Sequence, residues 1–90
     1  MDDEKIKIAM MMAASKALDY KKINAKADDD EVLQFVMKEI KANSVAKIGA
    51  MAAATKALKY LQETPNAKDK EIMQKVMNES DDILMTMDLE

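Results

Sequence analysis

The chain contains no cysteine, histidine, arginine or tryptophan. Without cysteine there are no disulfides, zinc ribbons or thiol chemistry. Without histidine it lacks the commonest metal ligand and the commonest general base. All fourteen basic residues are lysine, so no guanidinium fork is present for bidentate recognition of phosphate or carboxylate. A single glycine and a single proline leave no glycine-rich loop to cradle a phosphate. The aromatic residues are Tyr20, Phe35 and Tyr60 only. Long apolar runs are missing as well. The longest uncharged stretches, 8–15 and 48–55, are eight residues each, against roughly 20 needed to span a bilayer.

Charge of one sign is also scarce. The net charge is −3, with 8 lysines against 9 acids in residues 1–43 and 6 against 8 in residues 44–90. A mildly acidic chain with no basic stripe is a poor ligand for nucleic acid, whose affinity is dominated by the phosphate backbone. The opening "MDDEKIKIAMMMAAS" places acids where the basic region of a secretory signal would stand. A cytoplasmic location is the expectation, with no nucleic-acid partner and no membrane span. Leu89-Glu90 resembles the remnant of a C-terminal affinity tag.

What the chain does have is an internal repeat. "KIAMMMAASKALDY" (7–20) returns forty residues later as "KIGAMAAATKALKY" (47–60). Aligned without gaps, 7–39 and 47–79 are identical at sixteen of thirty-three positions. Each unit reads as a long helix, a short linker and a second helix. Ninety residues make one small domain that buries roughly 60–65% of its unfolded surface. Two such units suit an all-α, compact four-helix bundle of two similar αα-hairpins (3–43 and 44–88) related by a pseudo-twofold axis.

The first long helix is expected over 3–22, capped by Asp2 or Asp3. At 100° per residue, Ile6, Met10, Ala13, Ala14 and Ala17 share one side, and Lys5, Ser15, Lys16 and Asp19 the other. Its counterpart is expected from an N-cap at Ser44 to Glu63, with Ala46, Ala50, Ala53, Ala54 and Ala57 at the centre of its face and Gly49 beside them. Small residues at this spacing let another helix backbone approach closely. The packing face of the two long helices is therefore assigned to Met10, Ala14, Ala17, Ala50, Ala53, Ala54 and Ala57, with large Met10 in one unit set against small Ala50 in the other.

The second helix of unit one starts at "DDDE", where Asp28 as N-cap and Glu31 three residues on suggest a capping box. Its apolar stripe is Val32, Leu33, Val36, Met37 and Ile40, ending near Ala42-Asn43. In unit two, Thr64 or Asn66 is the expected cap, with Pro65 in the first turn. The stripe Ile72, Met73, Val76, Met77, Ser80, Ile83, Leu84 and Met87 carries the last helix toward Asp88.

Chemistry is sparse. The acids of "DDDE" lack the glycine turn and alternating oxygen ligands of a calcium loop. Met10, Met11 and Met12 point 100° apart on a helix and cannot converge on one copper ion. Tyr20 and Tyr60 close the long helices with no base marked beside them, and Lys16 and Lys56 lie on the polar sector. No catalytic residue, metal site or cofactor is expected, and the chain reads as a non-enzyme. Phe35 falls on the polar side of its helix, beside Gln34 and Lys38. Together with Met12, on the edge of the polar sector, it suggests an interface for a protein partner or a homodimer: Phe35, Met12 and Lys38. The expected function is a small helical interaction or scaffold protein, with self-association in view. The alternative is a small-molecule or lipid carrier with a Met-lined cavity between the hairpins.

Overall fold

In a computed structural model the described residues are 3–41 and 44–87. They form four helices and, among themselves, no strand: α1 (Asp3–Ile23), α2 (Asp29–Glu39), α3 (Ser44–Glu63) and α4 (Asp69–Met87). Asp2, Ala42, Asn43, Asp88 and the Leu89-Glu90 pair lie outside the described residues.

Helix directions follow from the ion pairs. Lys22 of α1 meets Asp69 at the start of α4 (2.7 Å), and Lys7 meets Asp81 near its other end (2.6 Å), so α4 runs antiparallel to α1. Lys56 of α3 meets Glu79 (3.1 Å), while Lys75 lies over the Tyr60 ring, so α4 is antiparallel to α3 too. Hence α1 and α3 point the same way. Tyr20 bonds Glu31 and Lys16 pairs with Glu39 (3.6 Å), which turns α2 back along α1.

The most extensive contact in the molecule joins α1 to α3. α2 and α4 each pack on both long helices and not on each other, so they occupy the two opposite grooves of the α1/α3 pair. The result is a flattened rhombus, 36 × 25 × 17 Å, with the two long helices on its short diagonal. Its radius of gyration, 12.3 Å, is that of a compact chain of this length.

Alanine allows that central contact. Met10, Ala13, Ala14 and Ala17 of α1 and Ala50, Ala53, Ala54 and Ala57 of α3 have no exposed surface, and Gly49 is buried beside them. Around this seam, α2 contributes Val32 and Val36, with Ile40 just past its end, and α4 contributes Ile72, Val76, Ser80 and Leu84, one per turn. Ser80 is the polar member of that row. Its hydroxyl donates to the Met77 carbonyl at 2.7 Å and so needs no external partner.

Both hairpin turns have the same hydrogen bonding. Asn24 N–H donates to Tyr20 O and Ala27 N–H to Asn24 O. Thr64 N–H donates to Tyr60 O and Ala67 N–H to Thr64 O. Several local expectations are corrected here. Thr64 does not cap α4: its hydroxyl donates to the Tyr60 carbonyl (2.8 Å) and closes the end of α3. Pro65 therefore lies in the turn, and α4 begins only at Asp69, after Lys68 accepts from Glu71 and Ile72. α2 stops earlier than its apolar stripe suggests, because Ile40 takes an extended backbone (ψ 112°) as the C-cap. Ser44 is the first residue of α3 rather than a residue before it. Met37 and Met77, placed in the stripes by spacing, are half outside: 50% and 51% exposed.

Candidate interaction surface

The seam between α1 and α2 holds the polar and aromatic groups that the sequence singles out. Asp28 caps α2 from an extended backbone, its Oδ1 accepting from Glu31 N–H at 2.9 Å. The capping box is only half made. The Glu31 carboxylate turns away from the cap and accepts from the Tyr20 hydroxyl at 2.8 Å. This anchors the start of α2 to the last turns of α1. Lys21 adds a second tie by donating its ammonium to the Ala27 carbonyl.

Phe35 is less exposed than its place on the polar side of α2 implies. It is half-buried against the core, its ring 4.5 Å from that of Tyr20 and tilted by 30°. The reason is tertiary: Phe35 faces outward relative to the axis of its own helix, and the Tyr20 ring from α1 covers it. In the other hairpin Lys75, forty residues on from Phe35, holds its ammonium 5.3 Å from the centre of the Tyr60 ring. An aromatic partner in one hairpin and a cation in the other therefore cover equivalent tyrosines. That both residues can cap an aromatic face is a signal the sequence contains.

Met12 and Lys38 are exposed. Met12 lies one turn before Lys16, whose ammonium reaches Glu39, the neighbour of Lys38. The two thus flank the same α1/α2 seam, with Phe35 set into it. Spacing alone did not single out Ile8. It is 56% exposed, one turn from Met12 (49%), and the i, i+4 step puts the pair on one strip of α1. Val45 and Ile48 form a similar exposed pair on α3, 41% and 61%. A central helix of a bundle would ordinarily turn such side chains inward. Here α1 and α3 each keep an outer strip free of α2 and α4, and the strip is apolar at its N-terminal end.

At the opposite end of the bundle, in the last turns of α1, two groups have shifted acidities. The Tyr20 phenol is raised above its usual 10.0, first by its hydrogen bond to Glu31, then by burial and by the carboxylate's charge. The Lys22 ammonium is raised above 10.5 chiefly by its hydrogen bond to Asp69, with burial opposing and the charges of Asp69 and Asp19 assisting. A tyrosine held neutral in this way is the opposite of one activated as a base or nucleophile. In both groups the folded state binds the proton more tightly. The stability they contribute is complete below the unfolded values of 10.0 and 10.5 and is lost as pH rises through the folded ones. In a Tyr60→Phe background, ultraviolet titration of the phenolate should give Tyr20 a midpoint above 10.0, and adding Glu31→Ala should return it toward that value. An unmoved midpoint would show that the hydrogen bond does not hold the phenol.

Among the described residues no three His, Cys, Asp or Glu side chains are placed to hold a metal ion, and no helix is long and apolar enough to cross a membrane. The surface depressions are open. One, of about 710 Å³, is lined by Gln34, Met37, Lys38, Ile40, Lys41 and Lys47. No protein-family model, curated protein or solved structure matches the chain.

Proposed function

We propose that this protein is a small, non-catalytic helical interaction module of the cytoplasm, binding a protein partner through the outer strip of α1 and the adjoining α1/α2 seam. The observation that carries the reading is the exposed pair Ile8 and Met12 on a helix whose other face is fully packed. Apolar side chains stacked one turn apart are what an amphipathic partner helix or a shallow groove takes up. Methionine suits the role, because its flexible thioether adapts to varied surfaces. Lys38 and the Lys16–Glu39 pair supply a polar rim beside it.

The test is affinity capture from the source cells with the wild-type chain and with an Ile8→Glu/Met12→Glu variant. Both positions are about half exposed, so the variant should keep its helical circular dichroism. The wild type is expected to retain a stoichiometric protein that the variant loses. Equal capture by both would reject this surface. Native mass spectrometry that finds a bound small molecule or lipid, and no protein, would instead favour a carrier.

A further inference from the structure

The outer faces of α2 and α4 are complementary to each other, although the two helices sit on opposite sides of the molecule. On α2, Asp30, Gln34 and Met37 form an exposed strip. Lys41, just past the helix, joins it by lining the same depression as Gln34, Met37 and Lys47 of α3. On α4 the exposed strip is Lys70, Gln74, Met77 and Asp81. Set side by side in the same direction, these strips oppose Asp30 to Lys70, Gln34 to Gln74, Met37 to Met77, and Lys41 to Asp81. The charges reverse at both ends and the apolar residue meets its like in the middle. Within one chain the strips cannot meet, because α2 and α4 are separated by the α1/α3 pair.

We infer that the occupant of each face is a second copy of this chain, α2 of one molecule packing along α4 of the next. This rests on the reading of the protein as an interaction module but uses a surface separate from Ile8 and Met12. Direction agrees with the pairing. Both α2 and α4 run opposite to the long helices, so a neighbour in the same orientation presents α4 parallel to α2. Asp81 already bonds Lys7 at 2.6 Å, yet its side chain is 74% exposed, and a carboxylate has further acceptor sites for Lys41 of the neighbour. Lys47, on the wall of the same depression, adds a second cation there. The contact is heterologous: each molecule uses two different faces, so association continues past the dimer unless a ring closes. An 11-residue α2 offers a seam of about 16 Å. A strip of that length and roughly 10 Å width covers on the order of 160 Å², well short of the roughly 800 Å² per partner of a stable complex, so weak association with dissociation constants on the order of 0.1–1 mM is expected.

Antiparallel pairing of α2 with α2 would also match Asp30 to Lys41, but it sets Met37 against Gln34. One experiment separates the two arrangements. Sedimentation equilibrium is run at low salt up to about 2 mM on the wild type, on Met37→Glu, on Met77→Glu and on their mixture, with circular dichroism confirming folding. The wild type should exceed its 10.1 kDa monomer mass with rising concentration and fall back toward it in about 0.5 M salt. Each variant alone should stay monomeric. Their mixture should form a dimer that grows no further, because one intact α2 face meets one intact α4 face. A wild type that remains a monomer throughout overturns the inference. So does a Met77→Glu variant that still dimerises alone, which would assign the contact to α2 against α2. Neither result bears on capture through Ile8 and Met12, so the two readings can fail separately.

Discussion

Truncating Met10 to alanine should lower the unfolding free energy by about 2–5 kcal/mol, at the upper end of that range. Met10 heads the fully buried side chains by volume, and the residues that share its seam are mostly alanines. An alanine has no side-chain torsion through which to move into a vacated space, so the cavity cannot collapse by rotamer change. The cost is then both the lost transfer energy and an unfilled void. A domain of ninety residues holds roughly 5–9 kcal/mol in all, so the variant loses a third or more of its stability. Denaturant titration should show the midpoint falling at constant slope, and the melting temperature should drop by about 4–8 °C per kcal/mol. A loss below about 1 kcal/mol would mean that the side chain is not enclosed between the long helices.

The opposite change should be felt just as locally. Ala53→Leu and Ala57→Leu should each cost about 1–3 kcal/mol, because α1 lies too close to α3 for three more carbons. Both alanines have no exposed surface. Leucine is nearly as good a helix former as alanine, so intrinsic helicity is almost unchanged and the loss reports packing alone. Thr55→Leu, on the exposed side of the same helix, serves as the control and should stay within about 0.5 kcal/mol of wild type. If all three variants melt alike, the small residues of α3 do not face another helix.

These two predictions draw on the part of the fold that is most legible in the sequence. Ala13, Ala14 and Ala17, like Ala53, Ala54 and Ala57, recur at helical spacing opposite lysines, and that periodicity alone assigns a buried side. Four helices and a compact all-α bundle follow from the same pattern. Helix ends were less legible because local hydrogen bonds decide them. The Thr64 hydroxyl could serve either neighbouring helix, and it closes α3. Ile40 looks like a core position of α2 yet lies beyond the helix, buried through the extended cap.

The surface was legible where one helix decides it and obscure where two do. Met12 is exposed as its own helical wheel requires. Phe35 is not, because a wheel drawn for α2 contains no Tyr20. The half-exposure of Met37 and Met77 likewise reflects where the long helices stop covering α2 and α4, which no single-helix pattern records. The reversed charges of Asp30 and Lys70 stand in the aligned units, and those of Lys41 and Asp81 lie just beyond them at the same forty-residue spacing. Their meaning depends on knowing that α2 and α4 point the same way on opposite sides.

The central claim is that two parallel long helices meet through their alanine faces, with α2 and α4 in the grooves beside them. Nuclear Overhauser spectroscopy on protein labelled only at its alanine methyl groups tests it most directly. Cross-peaks should link methyls of Ala13, Ala14 and Ala17 with those of Ala50, Ala53, Ala54 and Ala57. A spectrum in which the alanine methyls of residues 3–23 show contacts only within their own helix would contradict the account.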